Sequence, residues 1–540
     1  MTAPTTFNAT DWLLHRHVRD GDGDRTAVVC GGRSVTYEEL SDETRRVAAG
    51  FRALGARPEE RVMLCMADGV ELLTGILGAM HMGAVPVPVS TMVTGTELAS
   101  VLIDSRARIL CVSTEFADAA RVALAVATEV TQVVVDDPAG DSDLTGVSWS
   151  ALRTAGERGE AYPTWADSPA FWLYTSGTTG KPKGAMHRHG SVRDVAELYG
   201  QGVLGVSPGD RTLSVPKLFF AYGLGNSAFF PLSAGATAVL ERARPTPAGI
   251  AERVRETAPT LFFGVPTFYS ALLNSDIPDD TFSSVRQGIS AGEPLPPVLY
   301  HRFRERFGVE ILDGLGSTEA LHIFLSNRPG AVHPGSSGTP VDGYRVEIRG
   351  EQGVPITGTG EPGDLYLSGP SVASGYWCRT ETTRAVFQGE WLRTGDTYVR
   401  NEDGTYTCLG RSNDMLKAGG IWVSPAEVEE RLLEHPDVAE AAVVAGRDRD
   451  GLDKPVACVV PVSGHSVDAD ALVTWCRAGL AAYKRPRAVV GMEELPKTAT
   501  GKIRRNVLRA LVADELVTPV PPAETVLAPL APQDHVGGRA

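Results

Sequence analysis

The stretch Leu72–Val89, "LLTGILGAMHMGAVPVPV", carries no formal charge over 18 residues, which is long enough to cross a bilayer. Its punctuation argues otherwise. Three glycines, two prolines, Thr74 and His81 interrupt it, so that it divides into a helix ending near Gly83 and a strand over Val85–Val89. Helix followed by strand is also the grammar of its surroundings. Strand-like "TAVVC" and "SVTY" precede a helical stretch with Leu40, Val47, Phe51 and Leu54 on one face. Then come "RVMLCM", the helix and strand just described, "RILCVS", a further helix and "TQVVVD". Such alternation predicts parallel sheets covered on both faces. From Pro334 to Arg411 short alternating runs separated by turns ("YRVEIRG", "GDLYLSG", "GTYTCLG") predict a small antiparallel sheet or barrel. A last α+β unit begins near Asp414 with a helix in "SPAEVEERLLEH", strands "VAEAAVVAG" and "KPVACVVPV", and a helix "DADALVTWCRAGL". The expected fold class is therefore α/β: a large N-terminal domain of α/β sheets with a small barrel-like subdomain (residues 1–411), a small α+β C-terminal domain (412–515), and a disordered tail (516–540).

At 540 residues, two or more domains are expected. A net charge of −15, from 51 basic and 66 acidic residues, disfavours a nucleic-acid groove or an anionic membrane surface, and an acidic ligand has to be held locally. Seven widely spaced cysteines without a CxxC suggest neither a disulfide framework nor a zinc site, which fits a reduced, cytoplasmic protein. The N-terminus shows no basic segment followed by a long apolar run, and so no signal peptide.

Tyr174–Gly184, "YTSGTTGKPKG", departs from the Walker spacing but has similar ingredients. Glycines free backbone N–H groups to face an anion, Ser176, Thr178 and Thr179 add hydroxyls, and Lys181 and Lys183 add positive charge, so the loop could grip a polyphosphate. The same composition also suits a surface turn.

This loop resembles the signature of the adenylate-forming enzymes: the acyl- and aryl-CoA synthetases, peptide-synthetase adenylation domains and beetle luciferases. "SAGEPLP" (290–296), "GLGSTE" (314–319), "WLRTGD" (391–396), "GRSNDMLKAGG" (410–420) and "LPKTATGKIRR" (495–505) resemble the family's other motifs in the same order, and the likeness covers about residues 10 to 515. The resemblance implies that Thr175, Ser176, Gly177, Thr178, Thr179, Gly180, Lys181 and Lys183 hold the departing phosphates of ATP. It implies that Glu319 binds Mg2+, that Thr318, beside Ser317, meets the α-phosphate, and that Gly292, Glu293 and Pro294 border adenine. Asp396 and Arg411 fall to the ribose, with Arg411 able to reach phosphate, and Lys502 to the charge that develops during adenylation. Lys417, Gly419 and Gly420 would form a thioester face presented after the C-terminal domain rotates about Asn413, where the family usually has Asp.

The segments "PKLFFAYGLGN" (216–226) and "LHIFLSN" (321–327) look like those of benzoate-CoA ligases. That resemblance implies a flat apolar pocket lined by Ala221, Tyr222, Gly223, His322 and Ile323, although aromatics near glycines also suit a core and His322 a structural role. A fatty-acid tunnel would need more room. An amino acid would call for an acidic partner to its ammonium, and neither segment offers one. The implied reaction joins an aromatic carboxylate, a benzoate or substituted benzoate or, since Ala221 leaves room, a larger bicyclic acid, to coenzyme A or to the phosphopantetheine arm of a separate acyl carrier protein, in a monomer or homodimer. The basic cluster Lys484, Arg485 and Arg487 suits either acceptor, and equally a solvated surface. Luciferase-like oxygenation and a nucleotide-binding protein without activity are the other readings; the lysine, glutamate and aspartate of the key motifs speak against the last.

Overall fold

The computed structural model describes residues 5–136, 144–176, 182–411, 416–418, 421–447, 453–480, 484–497 and 503–512. The opening stretch divides as its punctuation predicts, into the helix Val70–His81 and the strand Val85–Pro88. Every residue of the helix except Glu71 is buried, because it lies between layers of protein. Gly78 lets it pack closely on the helix Tyr37–Ala53, where a Cβ would stand 3.0 Å from Val47 Cγ1. Among the described residues no helix is long and apolar enough to cross a membrane.

Five parallel strands form the first sheet, in the order Val85–Pro88, Arg61–Cys65, Ile109–Ser113, Gln132–Asp136 and Val147–Ser148. A second, nine-stranded sheet runs Thr339–Pro340, Ile323–Ser326, Ile311–Gly316, Gln287–Ser290, Leu261–Gly264, Arg211–Ser214, Thr237–Leu240, Thr26–Cys30 and Arg33–Thr36. Its middle is parallel and its two ends are antiparallel. The N-terminal hairpin Thr26–Cys30/Arg33–Thr36 thus belongs to the second sheet, more than 170 residues away in sequence, rather than to the strands that follow it. The antiparallel sheet expected after Pro334 is present: Arg345–Arg349, Gly363–Ser368, Trp391–Arg400 and Phe387–Gln388, with Tyr406–Arg411 paired to Trp391–Arg400. The C-terminal unit contains the expected helices Pro425–Leu433 and Ala469–Gly479 and the antiparallel pair Val438–Arg447 and Asp453–Pro461. It adds a parallel third strand, Ala488–Gly491, and a helix, Arg505–Leu511, which periodicity did not disclose. All seven cysteines are free thiols.

The core is crossed by a run of buried polar groups. The Gly159 carbonyl can only accept, so His81 Nε2 donates to it at 3.1 Å, and His81 Nδ1 then accepts from His15 Nε2 at 2.9 Å. His15 Nδ1 in turn accepts from the Ser41 hydroxyl at 2.7 Å. Every ring in this chain is neutral, and burial pushes His15 down to about 3 and His81 to about 4. His189, whose Nδ1 accepts from the Ala9 amide at 3.0 Å, is pushed to about 3 by burial.

These folded values lie below the ordinary ~6.5 of an unfolded histidine, so the unfolded chain binds more protons below pH ~6.5. The stabilisation is complete above that pH and is lost as pH falls toward 3 to 4, by at most about 1.4 kcal/mol per histidine per pH unit. Melting temperature is expected to be level between pH 7 and 8 and to drop steeply between 6 and 5. A level profile down to pH 5 would contradict buried neutral rings.

Candidate active site

Pro169–Ser176 and Pro182–Arg188 form a two-stranded antiparallel hairpin in which Thr175 faces Lys183 and Ser176 faces Pro182. Its tip, with Gly177, Thr178, Thr179, Gly180 and Lys181, lies outside the described residues. Successive strand residues point to opposite faces, so Lys183, Ala185 and His187 share one face. All three meet the same neighbours. Lys183 Nζ stands 5.0 Å from the centre of the Tyr376 ring, Ala185 forms a backbone bridge with Tyr376, and His187 Nε2 donates to the Thr318 carbonyl at 2.9 Å. The Tyr376 hydroxyl donates to Glu319 Oε1 at 2.6 Å.

Thr318 and Glu319 lie on the turn between the strands Ile311–Gly316 and Ile323–Ser326. Ser317 Oγ accepts from the Ala320 amide at 3.1 Å, and the Leu321 amide donates to the Thr318 carbonyl at 3.2 Å. Leu321 is fully buried with φ +71°, a left-handed conformation that is strained for a leucine. The turn is held in this shape from outside: the Ser371 hydroxyl donates to the Ala320 carbonyl at 2.6 Å and the Ala373 amide to the Glu319 carbonyl at 2.8 Å. His187, stacked on Phe171 at 5.1 Å, is pushed to about 4 by burial and stays a neutral donor.

Gly292, Glu293 and Pro294 follow the parallel strand Gln287–Ser290, next in the sheet to Ile311–Gly316, so both candidate segments leave the carboxyl edge of one sheet. That edge is where open α/β sheets bind ligands. Glu293 reaches the C-terminal unit, accepting from the Ile503 amide at 3.1 Å. Asp396 and Arg411 are cross-strand partners in the antiparallel sheet, separate from the hairpin. Lys417 pairs with Trp422 in the short ribbon Leu416–Ala418/Ile421–Val423. Asn413, Gly419, Gly420, Lys502 and the 516–540 tail lie outside the described residues.

The five residues implied for the aromatic pocket fall at one place. His322 Nε2 lies 3.1 Å from Asn226 Oδ1 and 3.3 Å from the Tyr222 carbonyl, both acceptors, so it carries the proton. Its ring centre is 4.5 Å from that of Phe230 and 5.4 Å from those of Tyr199 and Tyr222, and burial pushes it to about 3. Tyr222 OH donates to the Ile289 carbonyl at 3.1 Å. Gly223 lies against Lys217, whose carbonyl oxygen would be 2.0 Å from a Cβ, and Ile323 packs on Gly314. Ala221 is half-buried beside them.

Sequence reasoning missed four residues that shape this region. Tyr376 and His187 act on Glu319 and Thr318 from other elements. Asp68 accepts from the Leu218 amide at 3.1 and 3.2 Å and so holds the 216–223 segment; burial pushes its carboxyl up to about 6, with Lys217 opposing. Asp313, paired in register with Ser290, has a buried Oδ1 with no hydrogen-bond partner among the described residues, and burial pushes its carboxyl well above the ordinary range. A buried acid between apolar strand residues is the only local signal any of them carries.

Two candidate segments at the carboxyl edge of one α/β sheet, with the hairpin that bears Lys183 against Tyr376 beside Glu319, form the candidate site. The chain belongs to the AMP-binding enzymes: residues 14–377 match that family and residues 427–502 match the AMP-binding enzyme C-terminal domain. It is 46% identical to the benzoate–CoA ligase of Thauera aromatica, over 94% of this chain and 96% of that one. Among solved structures it is similar to a benzoate CoA ligase from Burkholderia xenovorans LB400, with 43% identity, a TM-score of 0.87, and 93% and 100% of the two chains covered. It is also similar to the anthranilate CoA ligase AuaEII in complex with anthranoyl-AMP, with 38% identity, a TM-score of 0.90, and 94% and 98% covered.

Gly225 gives the packing around His322 a direct test, because a Cβ there would come within 2.3 Å of His322 Cδ2. Alanine is the better helix former by about 1 kcal/mol, but forcing a methyl into a filled core costs about 1–3 kcal/mol. Gly225→Ala is expected to lower the melting temperature. A variant that melts higher than the parent would show that His322 is loosely held.

Proposed function

We propose that this chain is an ATP-dependent, AMP-forming aryl acid–CoA ligase. The observation that carries the reading is 46% identity to a benzoate–CoA ligase across nearly the whole of both chains. The convergence of Lys183, Thr318 and Glu319 around Tyr376 and His187 supports it.

A carboxylate is a poor electrophile, and the reaction it needs is balanced in two steps. The carboxylate oxygen attacks the α-phosphorus of ATP, pyrophosphate leaves, and an acyl-adenylate remains. A thiolate then attacks the acyl carbon and AMP leaves, giving the thioester. The first step brings two anions together, so positioning and charge neutralisation carry it. Thr175 to Lys183 receive the β- and γ-phosphates, Thr318 the α-phosphate, and Gly292, Glu293 and Pro294 the adenine. Asp396, with two acceptor oxygens, receives the ribose hydroxyls, with Arg411 beside it. Lys502 bridges the carboxylate and the α-phosphate as charge develops.

No group of three or more His, Cys, Asp or Glu side chains among the described residues could hold a metal unaided. One carboxylate, Glu319, together with phosphate oxygens fits Mg2+, which commonly binds through one or two carboxylates and substrate phosphates. When bound, the cation neutralises phosphate charge.

The names of the benzoate–CoA and anthranilate CoA relatives support an aromatic ring at Ala221, Tyr222, Gly223, His322 and Ile323. A neutral His322 and the surrounding aromatic rings suit an uncharged planar group. The relatives' names likewise favour coenzyme A as acceptor over a carrier protein. Residues 412–515 rotate about Asn413 between the steps, withdrawing Lys502 and presenting Lys417, Gly419 and Gly420 to the pantetheine thiol.

Pyrophosphate exchange across a panel of benzoates, larger aromatic acids, fatty acids and amino acids, followed by product mass with coenzyme A, tests the reading. Exchange and a new thioester are expected with benzoates; silence across the aryl acids would overturn it. Lys502→Ala is expected to slow adenylation roughly a hundredfold or more, while thioester formation from supplied aryl-adenylate survives. Lys417→Ala is expected to show the reverse. Equal damage to both half-reactions would refute this division of labour.

A further inference from the structure

Glu319 has one hydrogen-bond partner for its carboxylate among the described residues, the Tyr376 hydroxyl at 2.6 Å. Tyr376 belongs to no motif used above. It is 5% exposed, its ring meets Phe387 edge to face at 5.3 Å, and Lys183 lies 5.0 Å from its centre. Its place is set by a strap of backbone, Ala373–Trp377. The Met186 amide donates to the Gly375 carbonyl at 3.0 Å, the Ser374 amide to the Met186 carbonyl at 2.9 Å and the Trp377 amide to the Gly184 carbonyl at 2.9 Å. The Tyr376 amide donates to Thr383 Oγ1 at 3.0 Å. Gly375 has φ +138° and would place a Cβ 2.8 Å from Thr383 Cγ2, so the strap can pass this point only as glycine.

A short hydrogen bond to a carboxylate fixes its rotamer and leaves the second oxygen a defined direction. The ring beneath the Lys183 ammonium favours one position of that cation as well. Resting on the assignment of Glu319 to Mg2+ and Lys183 to phosphate, we propose that Tyr376 is a positioning residue for adenylation, holding the acidic and the basic half of the Mg–ATP site at a fixed separation. The hydroxyl acts on Glu319 and the ring on Lys183, so the two roles separate by mutation.

Tyr376→Phe removes the hydroxyl and keeps the ring; Tyr376→Leu removes both. Binding of a non-hydrolysable ATP analogue is measured by calorimetry, once in Mg2+ and once in EDTA, alongside the melting temperature and the KM for the aryl acid. For Tyr376→Phe, affinity in Mg2+ is expected to fall roughly tenfold or more, the scale of one charged hydrogen bond, with little change in EDTA. Aryl-acid KM and melting temperature are expected to stay close to the parent's. Tyr376→Leu is expected to weaken binding in EDTA too, through Lys183. An equal loss for Tyr376→Phe in Mg2+ and EDTA, or a loss confined to aryl-acid KM or to melting temperature, would reduce Tyr376 to packing. A parent protein whose analogue binding ignores Mg2+ would instead overturn the assignment of Glu319, and the proposal with it.

Discussion

One face of one strand organises the candidate site. Because side chains alternate along a strand, Lys183, Ala185 and His187 all point the same way, and each meets part of the same assembly: the Tyr376 ring, the 373–377 strap and the Thr318 carbonyl. The hairpin that offers positive charge and the turn that offers Thr318 and Glu319 are therefore held in register. A slip of one residue in the hairpin would turn all three contacts to the opposite face.

That arrangement is costly locally and is supported by its neighbours. Leu321 sits in a left-handed conformation, which persists because hydrogen bonds from Ser371 and Ala373 on one segment and from His187 on the hairpin fix the turn. Its imidazole donor is neutral because the protein around it excludes water. The same logic runs through the core, where His15, His81 and His322 are each buried, uncharged and hydrogen-bonded. Neutral imidazole donors, His187 at the Thr318 carbonyl and His322 among the aromatic rings, help set the shape around the candidate nucleotide and aryl sites. Beside the tip of the hairpin the positive charge described is that of Lys183, whose ammonium stands over an aromatic face.

Local pattern was sufficient for much of the fold. Glycine and proline divided Leu72–Val89 correctly, alternating strands and helices disclosed the parallel sheets, and turn spacing after Pro334 disclosed the antiparallel one. The short strand Ala488–Gly491 and the helix Arg505–Leu511 escaped notice because such brief segments carry little periodicity of their own. The membership of Thr26–Cys30 and Arg33–Thr36 in the distant sheet escaped too, since strand periodicity reports burial and not the partner.

The amino-acid sequence by itself determined most of the elements, the order of the motifs and with them the family, and it nominated the candidate site residues. Tertiary structure decided which groups aim those residues. Tyr376 reaches Glu319 across 57 positions, His187 reaches Thr318 across 131, and Asp68 holds Leu218 across 150. No local rule marks a tyrosine, a histidine or an aspartate for such tasks. Their partners are adjacent only after two sheets, a hairpin and a strap have packed, and a hydrogen bond depends on that distance and direction alone.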